Sequence, residues 1–175
     1  MAYPPAIRRP VTRCHAALLA LLALAANAVS PAGAATCLDV PTLEAARINQ
    51  FQTLAMTVSL RCRVVSGRVE ERFSQLMIVH RGYFAAADRV MHGFVGAGHG
   101  FSGAHAFDSY ATLLANHYGG GATTPAACTA MERALDAATN DASGRTLHRI
   151  AMAMVAEPEA QRLGCPAAGA VYARR

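Results

Sequence analysis

At 175 residues the chain has the length of about one domain, and with 53% hydrophobic and 15% charged residues it has too much apolar material for intrinsic disorder. Its sixteen basic residues, all arginine, face eleven acids for a formal net charge of +5. Arg8, Arg9 and Arg13 belong to an N-terminal leader, so the remainder carries thirteen arginines against eleven acids, a surplus too small to track a phosphate backbone, which excludes nucleic acid as a partner.

Those three arginines precede an uncharged apolar run over residues 16–29, followed by Ser30, Pro31 and Ala32-Gly33-Ala34. This is the order of a secretory signal, with small residues before the cut. The run is shorter than the roughly 20 residues that a membrane span requires. We read residues 1–34 as a cleavable signal peptide and 35–175 as a single helical domain with no transmembrane segment, periplasmic or secreted. Thr36 before Cys37 is the wrong neighbour for lipidation.

The first helix is expected over Thr42–Val65, opened by Pro41, with Phe51, Leu54, Ala55, Val58, Cys62 and Val65 on one apolar stripe. A second helix starts near Arg68 and keeps Val69, Phe73, Leu76, His80, Phe84, Ala87, Met91 and Phe94 in register. Five glycines between Gly93 and Gly103 then make a loop. A third helix carries Phe107, Tyr110, Ala111, Leu114 and Tyr118, with Ser102 as its cap, and stops at Gly119-Gly120-Gly121, glycine being suited to a left-handed terminus. The fourth opens with Thr124 as N-cap and Pro125 at its first position, and buries Cys128, Met131, Leu135 and Ala138. Ser143 caps a fifth, with Leu147, Ile150, Ala151 and Met154 inward and Met152 elsewhere. Pro158 begins a last short turn that Gly164 closes. No segment alternates with period two, so the expected fold is all-α, an antiparallel bundle of about five helices.

Cys14 leaves with the leader, and Cys37, Cys62, Cys128 and Cys165 remain, an even number in an exported chain and hence two disulfides. From Thr42 to Cys62 a continuous helix rises about 30 Å. The residues from Cys37 to Thr42 fold back at most about 18 Å, while bridged Cα atoms lie within about 7 Å. Cys37–Cys62 is therefore out of reach. Of the two pairings left, the up-down order of helices favours Cys62–Cys128 with Cys37–Cys165.

Several stretches look like chemistry. Gly98-His99-Gly100-Phe101-Ser102-Gly103 matches the dinucleotide fingerprint, but that motif needs a strand before it and a βαβ unit around it. Ser102, Asp108 and His148 follow the chain order of an α/β-hydrolase triad with no sheet to present the serine. Six histidines stay in the mature chain and none forms an i, i+4 pair; His80 is on an apolar stripe and reads as a core residue. His92, His99 and His105, with Met91 beside them, leave weak copper or zinc binding as an alternative. Arg61 and Arg63 complement a helix C-terminus, and Glu70 and Glu71 a helix N-terminus. No catalytic, cofactor-binding or metal residue is assigned, and no cofactor is expected.

The stretch Leu54 to Arg63, with Phe107-Asp108-Ser109-Tyr110 and Leu114-Ala115-Asn116, resembles a group of small exported all-helical four-cysteine proteins of alphaproteobacteria. The resemblance implies export, a helical fold and disulfide staples. Some members carry an adenosylhomocysteine-hydrolase label, an activity that needs a nucleotide-binding unit absent from this sequence. The expected function is that of a structural or binding protein acting on an envelope partner or a small ligand; the alternatives are an enzyme of unrecognised type, with hydrolase the nearest class, and a weak metal binder. The intact mass of the exported protein should begin at Ala35 or Thr36, and a product that keeps Met1 would refute the export argument.

Overall fold

Asp39 starts the first helix: its carboxylate accepts from the Thr42 amide at 2.9 Å, and Pro41 occupies the first turn, where a missing N–H costs nothing. Helix α1 then runs Val40–Cys62. The computed structural model describes residues 38–120 and 123–164. Six further helices follow in it: α2 (Arg68–Val79), α3 (Arg81–Gly96), α4 (Ala106–Gly119), α5 (Pro125–Thr139), α6 (Arg145–Met154) and α7 (Glu159–Gly164). There is no strand among the described residues, so the fold is all-α, and none of these helices is long and apolar enough to cross a membrane. The expected signal peptide, with Cys37 and Cys165, lies outside the described residues.

Helix α1 is the hub. Ile48, Asn49, Gln50 and Phe51 are all buried, and four consecutive residues exceed one turn of 3.6, so the middle of the helix is covered on every side. It packs against each of the other six helices. The apolar stripe expected on it is only part of this surface: Phe51, Ala55, Val58 and Cys62 are buried, Leu54 is half-buried, and Val65 is exposed. The helix ends three residues earlier than the apolar period suggests. The Val65 and Ser66 amides both fold back onto the Cys62 carbonyl, at 2.9 and 2.7 Å, closing a turn over the disulfide.

That disulfide joins Cys62 to Cys128, 66 residues apart, with Cα atoms 5.7 Å from each other. It ties the end of α1 to the first turn of α5, where Thr124 Oγ1 caps the Ala127 amide at 3.1 Å and Pro125 follows as expected.

The second expected helix is two. At His80 the backbone leaves the helical region (φ −107°, ψ 23°), which separates α2 from α3. The buried His80 ring places Nε2 3.0 Å from the Ala138 carbonyl at the end of α5. A carbonyl only accepts, so Nε2 carries the hydrogen. Gly82 follows at once and lowers the local helix preference. A tertiary hydrogen bond thus breaks a period that the sequence sustains, and with α7 the described residues hold seven helices where about five were expected. Helix α3 in turn runs through Gly93 to Gly96, so the glycine loop is shorter than expected.

Other expected termini differ too. His105, not Ser102, precedes α4, and no side chain caps it. After α4, Gly120 is extended (φ −89°, ψ 170°) rather than left-handed, and the Arg61 guanidinium takes up its carbonyl. In α6 the inward methionine is not Met154, which is exposed, while Met152 is half-buried and its Sδ lies 3.3 Å from Arg47 Nη1.

The Cys62–Cys128 bridge closes a loop that contains α2, α3 and α4. For a loop of that length the chain-entropy argument gives about 4 kcal/mol. Replacing both cysteines with alanine should lower the melting temperature by roughly 10 °C or more, measured by circular dichroism. A double variant that melts with the parent would show that the bridge does not constrain the unfolded chain.

Candidate functional site

Two polar constellations stand out, one inside the molecule and one at its surface. The inner one centres on Gln50, buried on α1. Its amide nitrogen donates to Tyr118 Oη on α4 at 2.6 Å, and its carbonyl oxygen accepts from the Glu159 amide at the start of α7 at 2.7 Å. The Glu159 carboxylate, largely covered, lies 3.5 Å from His117 and 3.4 Å from Arg162. Tyr110 is fully buried nearby, and its hydroxyl has no protein partner among the described residues. Burial first, then the Glu159 carboxylate and Tyr118, push the Tyr110 phenol far above its usual range. Gln50 holds α4 and α7 to α1 and the His117–Glu159 contact joins α4 to α7, which is a structural task.

The surface constellation begins at Asp141. One carboxylate oxygen accepts from Ser143 N and Oγ, at 3.0 and 2.5 Å, and the other from Thr146 N and Oγ1, at 2.9 and 2.8 Å. Hydrogen bonds from the Ser143 hydroxyl and then from Thr146 hold this acid well below the ordinary carboxylate range. The expected Ser143 cap is thereby corrected: Gly144 is the residue before α6, and Asp141 satisfies the helix amide at Thr146 from farther upstream. Gly144 has φ +77°, and a Cβ there would sit 3.2 Å from the Tyr83 ring. The turn needs glycine for its dihedral and again for the ring packed on it.

Along α6, Arg145, His148 and Arg149 recur at i, i+3 and i+4 and so share a face. With Tyr83, Asp141 and Gly144 they line a cleft of about 570 Å³, within the usual size of a small-molecule site. Arg145 Nε reaches Ser143 Oγ at 3.2 Å and Arg149 Nη2 reaches Thr146 Oγ1 at 3.1 Å. Both partners are hydroxyls; among the described residues neither arginine pairs with a carboxylate. His148 Nε2 faces Glu44 Oε1 of α1 at 3.6 Å. Two guanidiniums with unspent donors, an aromatic wall and an acid turned back on its own turn make a cradle for an anion.

The residues that looked like chemistry are kept apart. Asp108 faces His105 at 3.3 Å and His148 faces Glu44, while exposed Ser102 sits in the loop before α4. His92 stacks on Phe107 with centroids 3.5 Å apart, His99 stacks on Phe94 at 4.4 Å, and Met91 is in the core. No group of three or more His, Cys, Asp or Glu side chains fit to hold a metal occurs among the described residues. The fingerprint-like glycines, with positive φ at Gly98, Gly100 and Gly103, form a turn between two helices. Glu70 is held low by the Arg63 guanidinium, 2.8 Å away. The cleft residues carried one signal in sequence, the i, i+3, i+4 basic face of α6; Tyr83 comes from a distant helix and carried none.

The raised Tyr110 phenol has a definite pH signature. A folded-state pKa above the unfolded one gives stability that is complete below about pH 10 and is lost as pH rises through the folded value. The parent should lose melting temperature in strong base, and Tyr110→Phe should lose less while melting no lower at pH 7, since the hydroxyl it removes has no protein partner. Superimposable alkaline profiles would contradict this.

No family model, curated protein or solved structure matches this chain.

Proposed function

We propose that the chain is an exported, periplasmic or secreted binding protein whose cleft between α3 and the start of α6 holds a small anionic ligand. The observation that carries the reading is the Arg145–His148–Arg149 face, whose two guanidiniums, among the described residues, bond only hydroxyls while the oxygens of the adjacent Asp141 carboxylate are engaged by its own turn. The Cys62–Cys128 disulfide supports an oxidising compartment.

A second staple, Cys37–Cys165, completes the proposed architecture of an antiparallel bundle held at both ends. Both cysteines lie outside the described residues, and the support comes from their neighbours. Leu38 and Gly164 are in contact, close enough that a Cβ on Gly164 would stand 2.9 Å from Leu38 Cδ2. Non-reducing peptide mapping tests this pairing, and a free thiol at either position would refute it.

The binding reading is tested by titrating the mature protein with phosphate and butyrate, followed by amide chemical shifts. Saturable shifts centred on Gly144–Arg149 and Tyr83 are expected, lost in the Arg145→Ala/Arg149→Ala double variant and weakened by added salt. Both arginines are exposed, so the variant should melt within about 0.5 kcal/mol of the parent. Shifts spread evenly over the surface, or unchanged by the double variant, would overturn the proposal.

A further inference from the structure

The cleft does not end at Tyr83. The same ring forms one wall of an apolar groove of about 200 Å³ between α1 and α3, floored by Ala45, Ile48 and Ala87 and edged by Pro41, Ala86 and Val90. Tyr83 and Val90 are 37% and 39% exposed, and Val40 beside Pro41 is 64% exposed, so the groove opens through a run of uncovered apolar surface. Glu44 stands at the junction, on the groove's rim, facing His148 of the cleft. A basic cleft and an apolar groove therefore share a wall.

We infer that the ligand is a soluble amphiphilic anion, its carboxylate or phosphate head between Arg145 and Arg149 and its short hydrocarbon chain laid past Tyr83 into the groove between α1 and α3. This deepens the anion-binding reading and rests on it. The occupant follows from charge and size. The free guanidinium donors select an anion. The volume of the groove fits a few carbons and not a folded partner. The acids present leave the guanidinium donors to the head: Asp141 stays ionised, but its oxygens accept four hydrogen bonds from its own turn, and Glu44 is turned to His148. Along the groove floor there is no polar side chain for a chain of methylenes to displace, so burying them is governed by the hydrophobic gain alone.

The test is a series of straight-chain carboxylates, butyrate, hexanoate, octanoate and decanoate, each below its micelle concentration, titrated into the mature protein. The dissociation constant should fall by about two- to four-fold per methylene buried and level off once the groove is full. Ala86→Gln, an exposed change that keeps the helix, should flatten the series and leave butyrate untouched. The Arg145→Ala/Arg149→Ala variant should weaken every member alike, and decylamine should bind at least ten-fold more weakly than decanoate. Butyrate binding with no gain along the series would overturn the groove assignment and leave the anion cleft standing. No binding by any member would remove both. Binding to phosphatidylglycerol vesicles with none to monomeric octanoate would make this a membrane surface and overturn the soluble-ligand inference.

Discussion

Where α1 is wrapped by its neighbours, most of its buried polar side chains find protein partners in place of water, and those bonds organise this molecule. Three residues in one turn of α1 do most of the work. Arg47 donates to the Ala156 carbonyl beyond α6 at 2.9 Å, Asn49 donates to Asp88 of α3 at 2.7 Å, and Gln50 joins Tyr118 of α4 to the Glu159 amide of α7. Farther along, Thr57 and Ser59 fold their hydroxyls back onto carbonyls of their own helix, the common solution where no partner is near. A buried donor or acceptor left alone costs about 1–3 kcal/mol, comparable to burying a whole aliphatic side chain. The positions of α3, α4 and α7 are therefore set as firmly by these bonds as by the apolar core around Phe51.

The two ends of α1 are then fixed by different means. At the C-terminal end the covalent link to Cys128 holds α5, with the Arg61 guanidinium on the Gly120 carbonyl holding the end of α4 beside it. Near the N-terminal end Leu38 meets Gly164, where a Cβ would press on both Leu38 and Phe94. With both ends and the middle committed, α6 buries only Leu147 and Ala151 and presents its arginines to solvent. The cleft sits there because that is where charged donors are not needed for folding.

How the cleft is built shows the same economy. Asp141 does the capping that a helix N-terminus requires, and with its oxygens engaged there it pairs with neither arginine of the cleft. Gly144 supplies the left-handed turn and the space for Tyr83, and Tyr83 carries the wall on into the apolar groove between α1 and α3. Folding requirements and site geometry are met by the same three residues, so substitutions at Asp141 or Gly144 perturb both together.

The sequence by itself determined that the chain is helical, where α5 begins, and which apolar faces turn inward on α2, α3 and α5, because capping and a 3.6-residue period are local. It also narrowed the cysteine pairings, since helix length is arithmetic. It did not disclose the break at His80, the burial of Asn49 and Gln50, the exposure of Met154, or the meeting of Tyr83 with Arg145 and Arg149. The break, the two burials and the meeting at the cleft are decided between residues 39 to 109 positions apart, by a hydrogen bond to a carbonyl on another helix, an amide bridging two elements, or a ring packed on a distant glycine. Local propensities of a few tenths of a kcal/mol per residue give way to such contacts, whose partners are named only once the chain has folded back on itself.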